Sequence, residues 1–351
     1  MGIAGLTKFL RDECPQVFKQ INLSDLRYQK GAVDISLYVF KYITVFGDKW
    51  LTAILSLVSV LRKNDIHCCF IYDTSAPEEK MLEREKRREK RDKLDNRISQ
   101  LHEALITAHT TGFIDPILVE LNTKLSSEKI KSLLRPNRVD PTIINLEALE
   151  QEIERIGKQS VHIQESDFEN SKQLFRLLGV PFFNAPVEAE TTCSDLCKQG
   201  KVDFVLSEDS DVLAYGAPMF ISKIDTSNAV ATVVYYQDIL DALDFTADQF
   251  LDFCIMCGTD YNPNIRLIGP KKAFKLIREH KDIESIGIDI SVLNHIRTRE
   301  LFKGYKRFDG NIPYCSPPDF KNIGGFMFKH NIGTSIDTIK KNFTEPEIVF
   351  E

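Results

Sequence analysis

Short apolar runs that close on an acid, separated by helix-length amphipathic segments, constrain this chain more than any other feature. GAVDIS (31–36) and IHCCFIYD (66–73) read as buried strands, and the segment 49–63 between them reads as a helix. Farther on, the pattern predicts a helix over 168–178, a short PFF strand, a helix over 187–199, a VDFVLS strand, and SKI and TVVYY strands. Strands alternating with helices of about ten residues or more imply parallel βαβ units in a sheet covered on both faces. The expected fold class is therefore α/β, with a mostly parallel central sheet flanked by helices. In such sheets ligands gather at the carboxyl ends of the strands, and that is where the acids fall.

Asp34 closes the first strand and Asp73 the second, while SEDSD places Asp209 and Asp211 just past the third. Glu188 and Glu190 open the helix that follows APVEAE, and GTDY contributes Asp260. Each alone has a structural explanation, since Asp commonly caps a helix and Glu in a first turn suits the helix dipole. Several strands of one sheet delivering acids to one edge is a different matter. Crowded carboxylates repel, so such a cluster calls for divalent cations. Oxygen donors without a partnering His or Cys suit a hard ion, Mg²⁺ with Mn²⁺ able to substitute. A cluster large enough for two ions about 4 Å apart fits in-line displacement at a phosphodiester. A small-molecule phosphatase and a catalytically silent DNA-binding scaffold are the competing classes.

The balance of 45 Lys and Arg against 51 Asp and Glu gives a net charge of −6, which argues against nucleic acid only if the charge is evenly spread. It is not. Residues 78–97 carry nine basic and seven acidic side chains. On a helical wheel Lys80, Arg84, Arg87, Arg88 and Arg91 fall within a sector of roughly 100°, which is the footprint of a phosphate-binding face. A second footprint follows Asp260: a turn through Gly269 into a helix starting at Pro270, with Lys271, Lys272, Lys275 and Arg278. Such a helix start presents free N–H groups to phosphate. Of the eight cysteines, Cys193, Cys197, Cys254 and Cys257 imitate a zinc site but lie in apolar helical runs and read as core thiols. The apolar stretch 50–61 is too short for a bilayer core of about 30 Å, and MGIAGL lacks the features of a signal peptide. An intracellular, reducing compartment is expected, with no membrane partner.

The order of these segments resembles the flap endonuclease and XPG-type 5′ nuclease family. MGIAGL, VDIS, the strand ending in Asp73, LLGVPFFNAPVEAE, KVDFVLSEDSD and CGTDYNPNIRLIGPKKA carry the resemblance, over residues 1 to about 75 and 165 to about 290. It implies a PIN-like nuclease fold with a helical gateway and a C-terminal helix-two-turn-helix, acting on branched or flapped DNA as a monomer at the nucleus or a viral replication site. Asp34, Asp73, Glu188, Glu190, Asp209, Asp211 and Asp260 match the family's seven metal-site acids, for two Mg²⁺ ions. Lys80 and Arg87 match its catalytic basic pair, Gly2 the glycine near its active site, and Phe40 an aromatic that stacks on a terminal base. Asn264, Ile265 and Ile268 match the hairpin that holds K⁺ and a duplex phosphate, with Arg84, Arg88, Arg91, Gly269, Lys271, Lys272 and Lys275 as further DNA contacts.

The resemblance has departures. Leu267 stands where the family has the first glycine of a Gly-Ile-Gly hairpin, and Asn264 where serine is frequent. The interval between Asp73 and Glu188 is long, leaving residues 98–160 without a counterpart, so a Holliday-junction or bubble-cleaving member of the same superfamily is the alternative substrate reading. The chain shows no clamp-binding box. The expected organisation is an N-terminal nuclease region (1–77), a helical gateway (78–160), a second nuclease region (161–244) and a C-terminal helical DNA-binding region with a polar tail (245–351).

Overall fold

The runs that close on Asp34 and Asp73 lie side by side as parallel strands in the middle of one sheet. A computed structural model describes residues 2–132, 144–158, 160 and 163–343; the segment 135–141, whose sequence reads as a looser stretch, lies outside them. The strands are β1 (Lys19–Asn22), β2 (Lys30–Asp34), β3 (His67–Tyr72), β4 (Phe182–Asn184), β5 (Phe204–Leu206), β6 (Met219–Asp225) and β7 (Val230–Tyr235). They are ordered β1-β7-β6-β5-β2-β3-β4. From β6 to β4 all pairings are parallel, whereas β7 runs antiparallel to both β6 and β1. Beyond their first residues β2 and β3 are buried, and β5 is buried throughout, as strands covered on both faces must be.

The helices are α1 (Leu6–Glu13), α2 (Ile35–Phe46), α3 (Trp50–Lys63), α4 (Met81–Thr111), α5 (Pro116–Ser132), α6 (Leu146–Gly157), α7 (Glu165–Leu177) and α8 (Ala189–Lys198). They continue as α9 (Asp211–Ala214), α10 (Tyr236–Leu243), α11 (Ala247–Cys257), α12 (Pro270–His280), α13 (His295–Lys303), α14 (Ile323–Lys329) and α15 (Ile336–Phe343). Two local readings change. GAVDIS is not strand to its end: Asp34 Oδ1 accepts the Leu37 N–H at 3.4 Å, and this cap starts α2 at Ile35. KQIN, which has no alternating pattern, is strand only because it pairs with β7. Residues 35–63 are together long and apolar enough to cross a bilayer by length and composition. Gly47, at φ 52°, breaks them into α2 and α3, which pack against each other.

The chain divides into two compact units, residues up to 83 with those from 164 onward, and residues 84–163. In the first, Phe9 packs against Phe253 and Phe274 at ring distances of 5.1 and 5.3 Å, joining α1, α11 and α12 on one side of the sheet. On the other, Phe70 of β3 stacks on Phe175 of α7 at 4.3 Å. The second unit has its own small core, in which Leu101 and Leu105 of α4 meet Leu118 and Leu121 of α5 and Leu149 and Ile153 of α6.

The polar tail is structural. Lys30 Nζ donates to the Ile312 carbonyl at 2.9 Å and lies 3.9 Å from the Tyr314 ring centroid. The Cys315 N–H donates to His67 Nδ1 at 3.3 Å. Lys30 and His67 begin β2 and β3, so this irregular segment closes the sheet edge opposite the acids.

Helix α13 is fastened by a buried ion pair. Arg299 Nε and Nη2 each lie 2.6 Å from a different oxygen of Asp252, which is 3% exposed, and Nη1 lies 2.5 Å from Glu284. Among the described residues, replacing Arg299 with Ala leaves the buried Asp252 charge the Ile283 N–H, at 3.2 Å, as its remaining donor. That change is expected to cost about 3 kcal/mol, read as a lowered urea midpoint with an unchanged m-value.

Candidate active site

Sheet order, more than any single residue, brings the acids together. From β2 the chain winds outward through β3 to β4, and from β5 it winds the other way to β6, so the direction reverses between β5 and β2. A crevice forms beyond the strand carboxyl ends at such a reversal. Asp34 ends β2 and Asp73 follows β3 on one side of it, while on the other Asp209 lies in the turn after β5 and Asp211 begins α9. Glu188 occupies the N-cap position of α8 and Glu190 its first turn. Asp260 follows α11, in a turn closed by pairing of Thr259 with Asn262.

Asp34, Glu188, Asp209 and Asp211 are all buried. Asp73 Oδ1 accepts the Ala189 N–H at 2.8 Å, fixing β3 against the start of α8. Asp209 Oδ1 accepts the Asp211 N–H at 3.0 Å. Lys80 is buried too, and its Nζ bridges Glu188 Oε1 at 2.6 Å and Glu190 Oε1 at 2.8 Å, 4.9 Å from the centroid of the Tyr261 ring. Tyr261 donates its hydroxyl to Glu188 Oε2 at 2.8 Å and shares a 2.5 Å hydrogen bond with the Tyr215 hydroxyl. Sequence reasoning gave neither tyrosine a role; adjacency to Asp260 in GTDY was the available signal for Tyr261.

Burial, then the charges of Asp73, Glu190 and Asp209, hold the Asp34 carboxyl well above the usual range. Asp211 is raised by burial and by Asp209 and Glu190, and Asp209 chiefly by burial. Burial pushes Glu190 up to about 8 although Lys80 opposes the shift. Burial alone would lower the Lys80 ammonium, but Glu190, Asp211 and Glu188 outweigh it and hold the group well above its ordinary value.

Both oxygens of Asp211 are buried without a hydrogen-bond partner, an arrangement that a divalent cation satisfies and a protein interior otherwise avoids. The donors are all hard oxygens, which fits Mg²⁺. As they stand, no three acids among the described residues form a closed ligand set, and the Lys80 ammonium takes up one oxygen each of Glu188 and Glu190. The four cysteines that imitated a zinc site are buried, and burial raises each thiol pKa, so they are protonated core groups and not ligands.

Gly2 abuts the cluster. It has φ 83°, and a Cβ there would lie 2.0 Å from Asp209 Oδ1 and 2.8 Å from Asp211 Oδ1, so only glycine fits. Phe40 is 41% exposed on α2 and is no core residue. Arg84, Arg87, Arg88 and Arg91 are exposed on α4 in the second unit. Lys80 is not on that helix: it ends the 3₁₀ turn Glu78–Lys80 and belongs to the first unit.

Gly269 caps α12, and Lys271, Lys272 and Lys275 are exposed, Lys271 paired with Glu13 at 3.1 Å. In the preceding hairpin Asn264 Nδ2 donates to the Ile268 carbonyl at 2.9 Å, and the Ile268 N–H donates to the Ile265 carbonyl at 3.0 Å. Each of these carbonyl oxygens carries one protein donor and keeps a second lone pair. Leu267 has φ 66° and is 79% exposed, so the turn still demands the conformation that glycine would adopt.

Two outcomes follow. Leu267→Gly relieves the left-handed penalty, partly offset by the greater freedom of glycine in the unfolded chain, and is expected to stabilise by about 0.5 kcal/mol, read by chemical denaturation. The raised Glu190 means that the folded state binds more protons than the unfolded one. In chelator, stability therefore falls as pH rises from about 5 to about 8. Mg²⁺ flattens that slope, as thermal melts across pH with EDTA or Mg²⁺ would record.

Known proteins share this sequence and architecture. The sequence model of the XPG N-terminal domain matches residues 1–94 and that of the XPG I-region matches residues 179–260. A probable RAD2-like endonuclease of Invertebrate iridescent virus 3 is 33% identical, over 100% of both chains. Flap endonuclease 1-A of Sorghum bicolor is 30% identical over 97% of this chain and 85% of its own. Among solved structures, the catalytic core of Rad2 in complex with DNA substrate superimposes with a TM-score of 0.65 at 13% identity, covering 97% of this chain and 98% of that one. Flap endonuclease-1 from Methanococcus jannaschii does so with a TM-score of 0.60 at 22% identity, covering 93% and 94%. At those identities the superpositions speak for the fold.

Proposed function

Since the chain belongs to the XPG family of structure-specific nucleases, we propose that it is a DNA endonuclease that cuts 5′ flaps near the junction of single strand and duplex. A 5′ exonuclease activity accompanies it, in replication, repair or recombination of DNA. The observation that carries this reading is the meeting of Asp209, Asp211, Glu188 and Glu190, from separate segments, around the ammonium of Lys80, with Asp34 beside Glu190 and Asp209, at one switch point of the sheet.

The acids form one connected cluster in which Asp34 feels Asp73, Glu190 and Asp209, and Asp211 feels Asp209, Glu190 and Asp260. Asp34, Asp73 and Glu190 would hold one divalent ion, and Asp209, Asp211 and Asp260 the other, with Glu188 between them. Two such ions, when bound, supply the positive charge that stabilises in-line displacement at a phosphodiester. Mg²⁺ is the ion favoured by the donors and Mn²⁺ its substitute. The protein's own part is positioning. Lys80, already charged and desolvated, presents a cation where negative charge grows on the scissile phosphate. Tyr261 holds Glu188 in place by its hydroxyl and lies against Lys80 by its ring. Gly2 leaves room beside Asp209 and Asp211 that any side chain would fill.

Arg87, with Arg84, Arg88 and Arg91, supplies exposed positive charge on α4 for the DNA backbone. Lys271, Lys272 and Lys275 do the same at the start of α12, where Gly269 leaves the approach open. Exposed Phe40 offers a ring for stacking on a base. No step is assigned to K⁺. Water is the nucleophile, leaving a 5′-phosphate and a 3′-hydroxyl, and the enzyme acts as a monomer in a nucleus or at a viral replication site.

Asp209→Ala is expected to abolish cleavage of a 5′-flap duplex in Mg²⁺ while retaining affinity for that DNA in Ca²⁺. Cleavage and binding assays on the same purified protein read both, and undiminished cleavage would remove the site. Ranking a 5′ flap, a nicked duplex and a four-way junction tests the substrate, with preference for the junction overturning the assignment to flaps.

A further inference from the structure

We infer that Arg297 is a positioning residue for Lys80, acting through Glu79 to fasten the turn that carries the lysine to helix α13. This rests on the reading above, in which Lys80 touches the scissile phosphate.

Segment 73–80 leaves β3 with Asp73 and delivers Lys80 at its far end. Its first half is tied to the loop before α8: the N–H groups of Thr74 and Ser75 donate to the Val187 carbonyl at 3.0 and 3.2 Å, and Thr74 Oγ1 donates to the Ala185 carbonyl at 2.6 Å. The second half is a single 3₁₀ turn in which the Lys80 N–H donates to the Pro77 carbonyl at 3.1 Å. The turn runs directly into α4 at Met81, but its own 3₁₀ hydrogen-bond geometry is poor, so it holds Lys80 only weakly from within. Glu79, the residue before Lys80, ties it outward: its Oε1 accepts from Arg297 Nε at 2.8 Å.

Arg297 is a firm place to tie to. Its Nη1 also reaches Glu300 Oε2 at 3.1 Å, one turn along the same helix, which orients the guanidinium. Helix α13 is in turn held by Arg299 on buried Asp252. Phe302 of the same helix packs on Tyr215 at 4.8 Å and on Tyr261 at 5.2 Å, the two tyrosines that support Glu188. Pro77, Arg297 and Glu300 line one cavity together with Glu188 and Tyr261. One helix thus sets both the acid end of the site, through the tyrosines, and the basic end, through Glu79. The distance from Lys80 to its acids is fixed by a short closed circuit of contacts.

The pair is partly exposed, with side-chain accessibilities of 50% for Arg297 and 24% for Glu79, and such pairs contribute little to global stability. Its consequence is geometric: a displacement of about 1 Å at a reacting group can cost orders of magnitude in rate.

The test uses the full chain with a 5′-flap duplex in Mg²⁺, measuring kcat, KM and Tm for Lys80→Ala, Arg297→Ala, Arg297→Lys and the exchange Glu79→Arg with Arg297→Glu. Arg297→Ala is expected to lower kcat roughly tenfold with little change in KM or Tm. Arg297→Lys and the exchanged pair should each recover most of that loss. Wild-type kcat in Arg297→Ala, a loss confined to KM, or failure of both Arg297→Lys and the exchanged pair to restore kcat would overturn the inference. Lys80→Ala separates the two levels. If it cuts at the wild-type rate, the role given to Lys80 falls; if it is inactive while Arg297→Ala is unaffected, only the positioning role falls.

Discussion

Carboxylates buried beside one another repel, and that repulsion is the constraint on which the rest of the structure depends. Burial raises Asp34, Asp209, Asp211 and Glu190 together, so at neutral pH the folded state carries a free-energy cost relative to the unfolded chain that the site must offset. Part of the offset is Lys80, whose ammonium meets Glu188 and Glu190, and part is left to cations that the unpartnered oxygens of Asp211 would receive. A site of this kind persists only on a scaffold too well packed to relax away from it.

The scaffold supplies that rigidity from every side. Parallel strands buried on both faces fix the starting points of the acids. Phenylalanine clusters lock helices to either side of the sheet. The far edge is closed by the segment around Ile312, Tyr314 and Cys315 and not by regular structure. The ends of the sheet therefore have different tasks: the amino-terminal edge is sealed by the tail, and the carboxyl-terminal edge is left for chemistry.

The parallel α/β core was legible because burial on both faces leaves continuous apolar runs, and the acids because they interrupt those runs at fixed places. Asp34 reads in both ways proposed for it, as a helix cap and as a member of the cluster, since the cap uses one oxygen of two. Other features left little trace. KQIN carries no strand pattern, because its pairing comes from a partner more than two hundred residues away. Lys80 looked like one residue of a helical basic face, whereas it ends a 3₁₀ turn and points into the acids. Leu267 looked like a departure from a glycine hairpin, yet its backbone keeps the left-handed conformation that the turn requires. The weakly patterned tail gave no sign of sealing the sheet, because the bonds it makes are largely through backbone groups that every residue has.

Sequence by itself determined the class of fold, the set of acids and the hard-ion chemistry they imply, because these depend on residue type and on periodicity along one strand or helix. Tertiary structure decided what those residues meet. The reversal of winding order between the parallel strands β2 and β5 brings Asp34 to Asp209. The tyrosines and α13 give Glu188 and Lys80 their places, and Arg297 is brought to Glu79 from 218 residues along the chain. The physical reason is that a charge interacts through space and not along the sequence: its partners and its cost of burial exist only once the chain has closed around it.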